Sequence, residues 1–422
     1  MSEISGMNVQ ELVSQFGTPL FVYDESALRQ KLHDFTTCFQ SQIFATRVVY
    51  ASKAFNCKAM IDLIGEYGCG LDVVSGGELY TALKTGFDPS LIWFHGNNKT
   101  PAEIQMALDA KVGTFVIDNE MEAEEVLEQI KEKETEIDVL FRVNPGIEAH
   151  THQYVVTGHV DSKFGFSLLE KDVIFDTAKK LQASGKIHVR GIHAHIGSQI
   201  FDKQAYVELV RKMFAFAKEL HDKGFDVTDI NLGGGFGAYY TSEDHPVPVK
   251  EVCDTILRTC EEENSRTGGF IRQILIEPGR SIVAEAGYTL YTVGYLKQTP
   301  NKTYAFVDGG MSDNIRPALY QAKYDAYIAG KENLLSEINY TIAGKCCESG
   351  DILIENIALP KAEKGDILVM KTTGAYGYSM ASHYNKLPFP AVVFVNEGKA
   401  RTVIERESYE HMTELEKQEE RS

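Results

Sequence analysis

The chain alternates between two kinds of segment from about residue 47 to residue 282. Short apolar runs, rich in β-branched and aromatic residues, are followed by longer stretches in which apolar residues recur at helical spacing. The runs are RVVYASK, GLDVVS, LIWFHGN, TFVIDN, VLFRVN, VRGIHAHIG, DINLGGG and ILIEPG. Because strands that alternate with helices form parallel sheets, these eight units predict a closed (β/α)8 barrel, with an open Rossmann-type sheet as the structural alternative.

The helical rhythm stops after Ile282, and the remaining apolar runs resemble strands separated by turns. These runs are YTLYTVGYLKQT, TYAFVDGG, DILIENIAL, GDILVMKTTG and PAVVFVNEGKARTVIER. A further strand-like run, in GTPLFVYDESAL near the N-terminus, could belong to either domain on its pattern alone. The expected fold class is therefore α/β, a (β/α)8 TIM-type barrel with a second, mostly β domain of the barrel or sandwich type.

One predicted helix has a marked start. Thr100 can cap it, Pro101 occupies its first position, and Glu103 supplies an acidic side chain in its first turn. The sequence therefore predicts a capped helix that begins at Pro101.

Each apolar run of the predicted barrel ends in polar or glycine residues. In a barrel these strand ends converge on one mouth, where barrel active sites lie. Taken singly, each could be a cap or turn residue, and His195 alone fits a structural histidine better than a catalytic one. Eight polar ends around one rim indicate a functional site more strongly. They include Lys53, Asp72, Ser75, His95, Asn97, Asp118, Arg142, Asn144, His195, Glu277 and Arg280.

Lys53 stands just beyond the apolar run Val48–Ala51. The ordinary interpretation of a lone lysine there is a strand that ends in water. A buried lysine, in contrast, loses its proton readily and becomes a nucleophile that can form a Schiff base. The motifs elsewhere in the chain decide between these interpretations.

Composition and charge narrow the class of protein. The 422 residues are too many for one compact core, and the net charge of −18 argues against nucleic acid or an anionic membrane as the main partner. No apolar run is long enough to span a bilayer, and the N-terminal stretch lacks the features of a secretory signal. Seven cysteines at irregular spacing suit reduced thiols in the cytoplasm, and no zinc-finger spacing occurs, so no metal is expected.

Two motifs follow the seventh and eighth runs. The glycine cluster in NLGGGFGAYY lies where barrels commonly bind phosphate, although such clusters are often only tight turns. In IEPGRS, Glu277 and Arg280 could be a plain ion pair, or a carboxylate for a ring nitrogen beside a cation for an anion. A lysine, a phosphate site and a carboxylate are together what pyridoxal phosphate requires, so we expect this cofactor.

Nine motifs, in order from about residue 20 to residue 390, resemble the fold-type III pyridoxal-phosphate-dependent amino acid decarboxylases. Together they are highly specific, and they cover nearly the whole chain. The resemblance implies a lyase with pyridoxal 5′-phosphate as its cofactor. The motifs are YASKAFN, LDVVSGGEL, SKFGF, HAHIGSQI, LGGGFG, EPGRSIVAEAG, DGGMSDNIRPALY, CCESGD and GAYGYSMASHYN.

The resemblance assigns cofactor-binding roles. Lys53 would be the Schiff-base lysine, His195 would stack on the cofactor ring, and Glu277 would pair with the pyridine nitrogen. Ser198 would lie near the phosphate, which N–H groups of the glycine loop would bind. The implied cofactor-binding residues are Lys53, His195, Ser198, Gly234, Gly235, Glu277, Pro278, Gly279, Arg280 and Tyr376.

The resemblance also assigns substrate-binding and catalytic roles. The implied substrate-binding residues are Arg280, Arg316, Tyr320, Glu348 and Tyr376, and the implied catalytic residues are Lys53, His195 and Cys347. Cys347 would donate a proton, and Glu348 would bind the distal amine; both would come from the partner subunit of a homodimer. Of the two adjacent cysteines, Cys347 directly precedes Glu348 as in the family motif, whereas Cys346 fits a small buried residue.

The domain organisation implied by the resemblance is discontinuous. A cofactor-binding barrel would span residues 27–283, and residues 1–26 and 284–422 would form a β domain that contributes to the substrate site and the dimer interface. The segment GIEAHTHQYVVTGHVDSKFGF, which contains His150, His152 and His159, is a candidate lid or a solvated loop.

The implied reaction is decarboxylation of meso-2,6-diaminopimelate to L-lysine and carbon dioxide, the last step of lysine biosynthesis. This substrate has a second amine and a second carboxylate, for which Glu348 and Arg316 are available. Carboxynorspermidine, ornithine and arginine remain alternative substrates. Glu277 argues against an alanine racemase, since that family places an arginine at the pyridine nitrogen, and the presence of Lys53 and Cys347 argues against a non-catalytic relative.

Overall fold

The computed structural model describes residues 2–147 and 162–417, so the three histidines of the candidate lid lie outside the described residues. The chain divides into two compact units. The barrel unit comprises residues 30–238 and 245–282, and the β unit comprises residues 1–29, 239–244 and 283–422. The β unit is thus assembled from three separate stretches of sequence.

Strands and helices alternate through the barrel unit, whereas strands predominate in the β unit. Within the described residues the strands are β1 (Glu3–Ile4), β2 (Met7–Asn8), β3 (Leu20–Asp24), β4 (Ala45–Ala51), β5 (Gly70–Val73), β6 (Ile92–Phe94), β7 (Thr114–Ile117), β8 (Ile137–Asn144), β9 (Phe166–Ser167), β10 (Ile187–His193), β11 (Asp229–Asn231), β12 (Gln273–Ile276), β13 (Gly287–Gln298), β14 (Thr303–Val307), β15 (Ala326–Ile328), β16 (Ile338–Ala343), β17 (Ile352–Leu359), β18 (Ile367–Met370), β19 (Ala391–Asn396) and β20 (Lys399–Ile404). The α-helices of the same residues are α1 (Val9–Phe16), α2 (Glu25–Cys38), α3 (Lys58–Glu66), α4 (Gly76–Thr85), α5 (Pro101–Asp109), α6 (Glu120–Ile130), α7 (Lys171–Gln182), α8 (Lys203–Asp222), α9 (Val249–Thr267), α10 (Arg280–Val283), α11 (Arg316–Tyr320) and α12 (Tyr409–Thr413).

Eight parallel strands form the barrel. In hydrogen-bonding order they are β10, β11, β12, β4, β5, β6, β7 and β8, and β10 pairs with β8 to close the ring. The predicted (β/α)8 barrel is confirmed, and the open-sheet alternative is wrong. Five of its strands contribute to one buried apolar cluster, which contains Val49, Trp93, Val116, Leu140 and Leu275. Because the strands are parallel, their C-terminal ends face one mouth.

Helix α5 begins at the residue that the sequence predicts. At α5, Glu103 N–H donates to Thr100 Oγ1 at 3.3 Å, and Thr100 N–H donates to Glu103 Oε2 at 2.9 Å. The predicted cap at Thr100 is confirmed, and it is a complete capping box with Pro101 in the first turn. Glu103 Oε1 also accepts the N–H of Gly76 at 2.6 Å, which links the start of α5 to the start of α4.

The β unit is built on a mixed sheet with the strand order β17-β16-β14-β13-β3-β19-β20. Strand β3, from the N-terminal run, pairs antiparallel with β13 and parallel with β19. The predicted mostly β character is confirmed, and the predicted runs supply β13, β14, β17, β18, β19 and β20. Strands β15 and β16 were not predicted; β15 has only three residues, and the conformation of both is supported by tertiary pairing, of β15 with β18 and of β16 with β14.

Among residues 2–147 and 162–417, every helix is too short or too polar to cross a bilayer. All seven cysteines lie within these residues and are free, with Cys347 exposed and Cys346 buried.

Candidate functional site

A buried carboxylate, Glu277, lies directly after β12 at the C-terminal mouth of the barrel, with 6% of its surface exposed. Asn231 Nδ2, at the end of β11, donates to Glu277 Oε1 at 2.7 Å, and His193 Nε2, at the end of β10, lies 3.0 Å from Oε2. His95 Nε2, just after β6, lies 2.8 Å from Oε1, which is an ion-pair distance without hydrogen-bond alignment. Four strand ends therefore meet at one carboxylate.

The electrostatic environment keeps Glu277 ionised. Burial acts to raise its pKa, but the imidazoles of His95 and His193 hold the pKa of Glu277 well below its ordinary value. Burial lowers the pKa of His193 to about 4, so this ring is neutral near pH 7 and offers a single N–H. Ligand atoms of His95, His193 and Glu277 lie within 4.8 Å of one another, but mutual pairing accounts for this spacing, and we assign no metal to it.

The glycine loop after β11 packs against neighbouring backbone too closely for any side chain. A Cβ added to Gly234 would lie 2.2 Å from the carbonyl oxygen of Glu277. A Cβ added to Gly235, whose φ is +98°, would lie 2.6 Å from the carbonyl oxygen of Gly197. Gly234 N–H donates to His195 Nδ1 at 3.3 Å, so this ring nitrogen is an acceptor. The loop therefore fixes the tautomer of the imidazole as well as its own backbone.

Two other predicted residues, His195 and Lys53, lie at the same mouth. The pKa of His195 lies well below its ordinary value because burial and the positive charges of Lys53 and Arg142 disfavour the imidazolium, so its ring is neutral. Lys53 lies in the single turn Ser52–Ala54 that follows β4, and its side chain is exposed. Of the two interpretations of Lys53, its exposed side chain agrees with a strand that ends in water, and its position after β4 leaves the amine accessible at the barrel mouth.

Arg280 and Ser198 form a second polar contact at the mouth. The Nε and Nη2 groups of buried Arg280 both donate to Ser198 Oγ, at 3.1 and 2.9 Å. The preceding Gly279 lies against β4, since an added Cβ would be 2.9 Å from the Cβ of Ala51. The turn from Glu277 through Pro278 to Arg280 thus brings a carboxylate and a guanidinium to one rim.

The β unit carries a separate group of predicted residues. Arg316, at the start of α11, is 7% exposed, and its Nη1 donates to the hydroxyl of Tyr324. Tyr320, at the end of the same helix, is 36% exposed. Tyr376 has a φ of +60°, a conformation that is rare for a residue with a large side chain and that is often retained at functional sites.

The loop before β17 presents Cys347 and Glu348 to solvent while Cys346 is buried. Asp351 anchors this loop, because its Oδ2 accepts the N–H of Cys346 at 2.8 Å and its Oδ1 accepts the N–H of Met311 at 2.7 Å. The N–H of Cys347 donates to Asn385 Oδ1 at 2.6 Å. The backbone around Cys347 is therefore held from both sides while its thiol remains accessible.

Sequence reasoning missed several residues of both groups. It singled out neither His193 and Asn231, which contact Glu277, nor Tyr240 and Tyr324, which contact Arg316. A signal was present for His193, because the motif HAH places a second histidine two residues before His195 in an otherwise apolar strand end. The sequence contains no comparable signal for Tyr240 or Tyr324, and Tyr240 lies far from Arg316 along the chain.

Comparison with known proteins identifies the family. The pyridoxal-binding domain of the pyridoxal-dependent decarboxylases matches residues 25–284. The chain belongs to the pyridoxal-dependent decarboxylases. It is 49% identical to a diaminopimelate decarboxylase of Bacillus subtilis and 47% identical to one of Halalkalibacterium halodurans, each alignment covering 98% of this chain and 94% of the relative. A crystal structure of a diaminopimelate decarboxylase from M. jannaschii in complex with L-lysine is 34% identical, with a TM-score of 0.90 over 97% of this chain and 94% of that one.

The barrel unit of the enzyme fits pyridoxal 5′-phosphate. The glycine loop exposes its backbone at positions where a Cβ would clash. The buried Glu277 is an anion suited to a protonated ring nitrogen, and the amine of Lys53 is accessible. Ser281 Oγ, next to Arg280, is buried without a hydrogen-bond partner among the described residues, which suits an acceptor such as a phosphate.

We expect the contribution of Glu277 to stability to depend on pH. Folding lowers its pKa, so the ionised form stabilises the fold above the roughly 4.3 of an unfolded glutamate, and this stabilisation is lost as the pH falls through the folded value. Glu277→Gln should lower the free energy of unfolding of the cofactor-free enzyme by about 2 kcal/mol at pH 7, because the amide cannot accept hydrogen bonds at both positions of the carboxylate. Thermal unfolding from pH 7 to pH 3 should show this gap constant at first and narrowing below about pH 4.

The exposed Glu208 provides a matched control, and Glu208→Gln should leave the unfolding curve unchanged. A Glu277→Gln enzyme as stable as the wild type at pH 7, or a gap that persists undiminished to pH 3, would contradict the assignment of Glu277 as a buried anion.

Proposed function

We propose that this enzyme decarboxylates meso-2,6-diaminopimelate to L-lysine and carbon dioxide, as the last step of lysine biosynthesis. The observation that carries the proposal is the similarity to two bacterial diaminopimelate decarboxylases, which extends over 98% of the chain and therefore across both units. Arg316 supports the proposal as well, because a substrate with a second carboxylate needs a cation to bind it, whereas ornithine has no second carboxylate.

The residues of the barrel unit would hold the cofactor. Pyridoxal 5′-phosphate, when bound, supplies an aldehyde for amines and a protonated pyridine that accepts the electron pair released with carbon dioxide. Glu277, an anion at neutral pH, would hold the proton on the ring nitrogen, and Lys53 would supply the protein amine. The neutral ring of His195 would stack on the cofactor, and Ser198 and the N–H groups of the glycine loop would lie at its phosphate. The other residues of the cofactor site would be Pro278, Gly279, Arg280 and Tyr376.

The residues that recognise and protonate the substrate would lie mainly in the β unit. Arg280 and Arg316 would bind carboxylates, Tyr320 and Tyr376 would lie beside them, and these groups would orient the bond that breaks. Glu348 would bind the distal ammonium group. Cys347 would donate a proton to the carbon that loses carbon dioxide, so that the bond to the carboxylate is replaced by a bond to hydrogen.

The first test is carbon dioxide release by the purified holoenzyme. Meso-diaminopimelate should release carbon dioxide and yield L-lysine, because its second carboxylate matches Arg316 and its second amine matches Glu348. Ornithine and arginine, at the same concentrations, should release none above background. Release of carbon dioxide from ornithine or arginine instead of meso-diaminopimelate would agree with the proposed cofactor chemistry but contradict the proposed substrate.

The adjacent cysteines allow a matched test of the proton donor. Cys347→Ala should lower turnover by about 100-fold, the typical contribution of a positioned acid, while the visible spectrum of the bound cofactor is retained. Cys346→Ala removes the same atom from a buried position and should retain near-normal turnover. Equal losses in the two variants would argue that the loop is required only for structure.

We also propose a homodimer located in the cytoplasm. The exposure of Cys347 and Glu348 supports shared sites, because residues that serve the partner subunit must reach the surface of their own chain. The seven free thiols suit a reducing compartment.

Complementation tests the shared site. Lys53→Ala and Cys347→Ala should each be nearly inactive alone, whereas their co-expression should restore about a quarter of wild-type activity, since a mixed dimer regains one intact site. Activity of the co-expressed pair should be measured beside two copies of Lys53→Ala. An inactive mixture that is shown by size and mass to contain mixed dimers would mean that each subunit builds its site alone.

A further inference from the structure

The guanidinium of Arg316 lies in an aromatic cage, which we define as the side chains of Tyr240 and Tyr324. The central carbon of the guanidinium is 5.1 Å from the ring centroid of Tyr240 and 5.5 Å from that of Tyr324. The two rings meet edge to face, with centroids 5.4 Å apart at an angle of 80°. Arg316 Nη1 also donates to the Tyr324 hydroxyl. Ring faces and one hydroxyl oxygen therefore surround a buried cation.

The charge of Arg316 has no anionic partner within residues 2–147 and 162–417, where its contacts are with tyrosines. Buried charges in proteins are normally paired, and a cation–π contact offsets only part of the cost of removing a cation from water. An unpaired guanidinium in a site lined by aromatic rings is therefore suited to an anion from outside the chain. The bond to Tyr324 uses one of the five N–H donors of the arginine.

The backbone on each side of the cage is anchored. Tyr240 belongs to the segment 239–244, which is far from Arg316 in sequence but lies in the same unit. Asp244 Oδ2 accepts the N–H groups of Tyr240 and Thr241 at 3.1 and 2.9 Å, and Thr372 Oγ1 donates to the carbonyl oxygen of Tyr239 at 3.1 Å. The ring of Tyr240 is thus presented by a fixed turn.

We propose that Tyr324 and Tyr240 are positioning residues that fix the guanidinium of Arg316 for the second carboxylate of the substrate. An arginine side chain has many rotamers, and holding it in one of them before binding reduces the entropy that binding must offset. The cage thereby sets the preference of the enzyme for a diamino acid that carries a second carboxylate over a diamine that lacks it. This inference rests on the proposed function, since it requires Arg316 to face that carboxylate.

The test compares two ligands that differ only in the carboxylate, L-lysine and cadaverine. Each is titrated into the holoenzyme, and binding is followed by the change in the visible spectrum of the cofactor. Tyr324→Phe keeps the ring and removes the hydrogen-bond acceptor. It should therefore lower the affinity for L-lysine by about tenfold and leave the affinity for cadaverine unchanged. Tyr240→Leu should act in the same direction, and Tyr240→Phe, which keeps the ring, should restore most of the affinity. For meso-diaminopimelate, KM should rise more than kcat falls.

Tyr327→Phe is the matched control, because it alters a half-buried tyrosine of β15 outside the cage and should change neither ligand. If Tyr324→Phe bound L-lysine with unchanged affinity, this inference would be overturned while the proposed function would stand. Equal loss of affinity for both ligands would have the same consequence, because it would indicate a general structural role of Tyr324. A wild-type enzyme without preference for L-lysine over cadaverine would overturn the substrate assignment as well. The two failures are therefore distinguishable.

Discussion

The barrel unit depends on keeping one carboxylate ionised away from water. An unpaired carboxylate at the position of Glu277 would cost several kcal/mol and would be protonated instead. The groups that prevent this, Asn231, His193 and His95, stand at the ends of three other strands and are distant from Glu277 in sequence. The strands of Asn231 and His193 follow β12 on one side of the sheet order, and the strand before His95 lies three strands away on the other side, so the charge of the carboxylate depends on the assembled sheet.

The β unit solves the opposite problem, which is to keep a buried cation available. A carboxylate beside Arg316 would stabilise it but would also neutralise it for an incoming anion. The aromatic faces of Tyr240 and Tyr324 offer weaker stabilisation and leave the charge in place. The two ions therefore differ in how they are held: Glu277 is held by hydrogen-bond donors that maintain its charge, and Arg316 is held by rings that restrict its position.

The sequence was sufficient for the parts of the fold that depend on local pattern. Strand ends, the cap at Thr100 and the eightfold alternation follow from periodicity and turn residues, and the structure has all three. The partners of Glu277 and Arg316 could not be predicted, because they depend on which strand ends face each other and on a segment that joins the β unit from the middle of the barrel sequence. The exposure of Lys53 was left open for a related reason: an apolar run predicts a buried strand but not the direction of the turn that follows it.

The separation of these two ions along the chain bears on how such an enzyme can be specific. The groups suited to the cofactor, Glu277 and Lys53, lie in the barrel unit, whereas Arg316 and its cage lie in the β unit. On the proposed role of Arg316, a change in the cage would alter recognition of the second carboxylate without removing any contact of Glu277. Because decarboxylation needs the same electron-accepting ring for every amino acid, selection among substrates has to come from groups at their far ends. Among groups that could select a substrate, a rigidly held cation discriminates most clearly, because it separates substrates by whether they carry a second carboxylate and not by a difference in size.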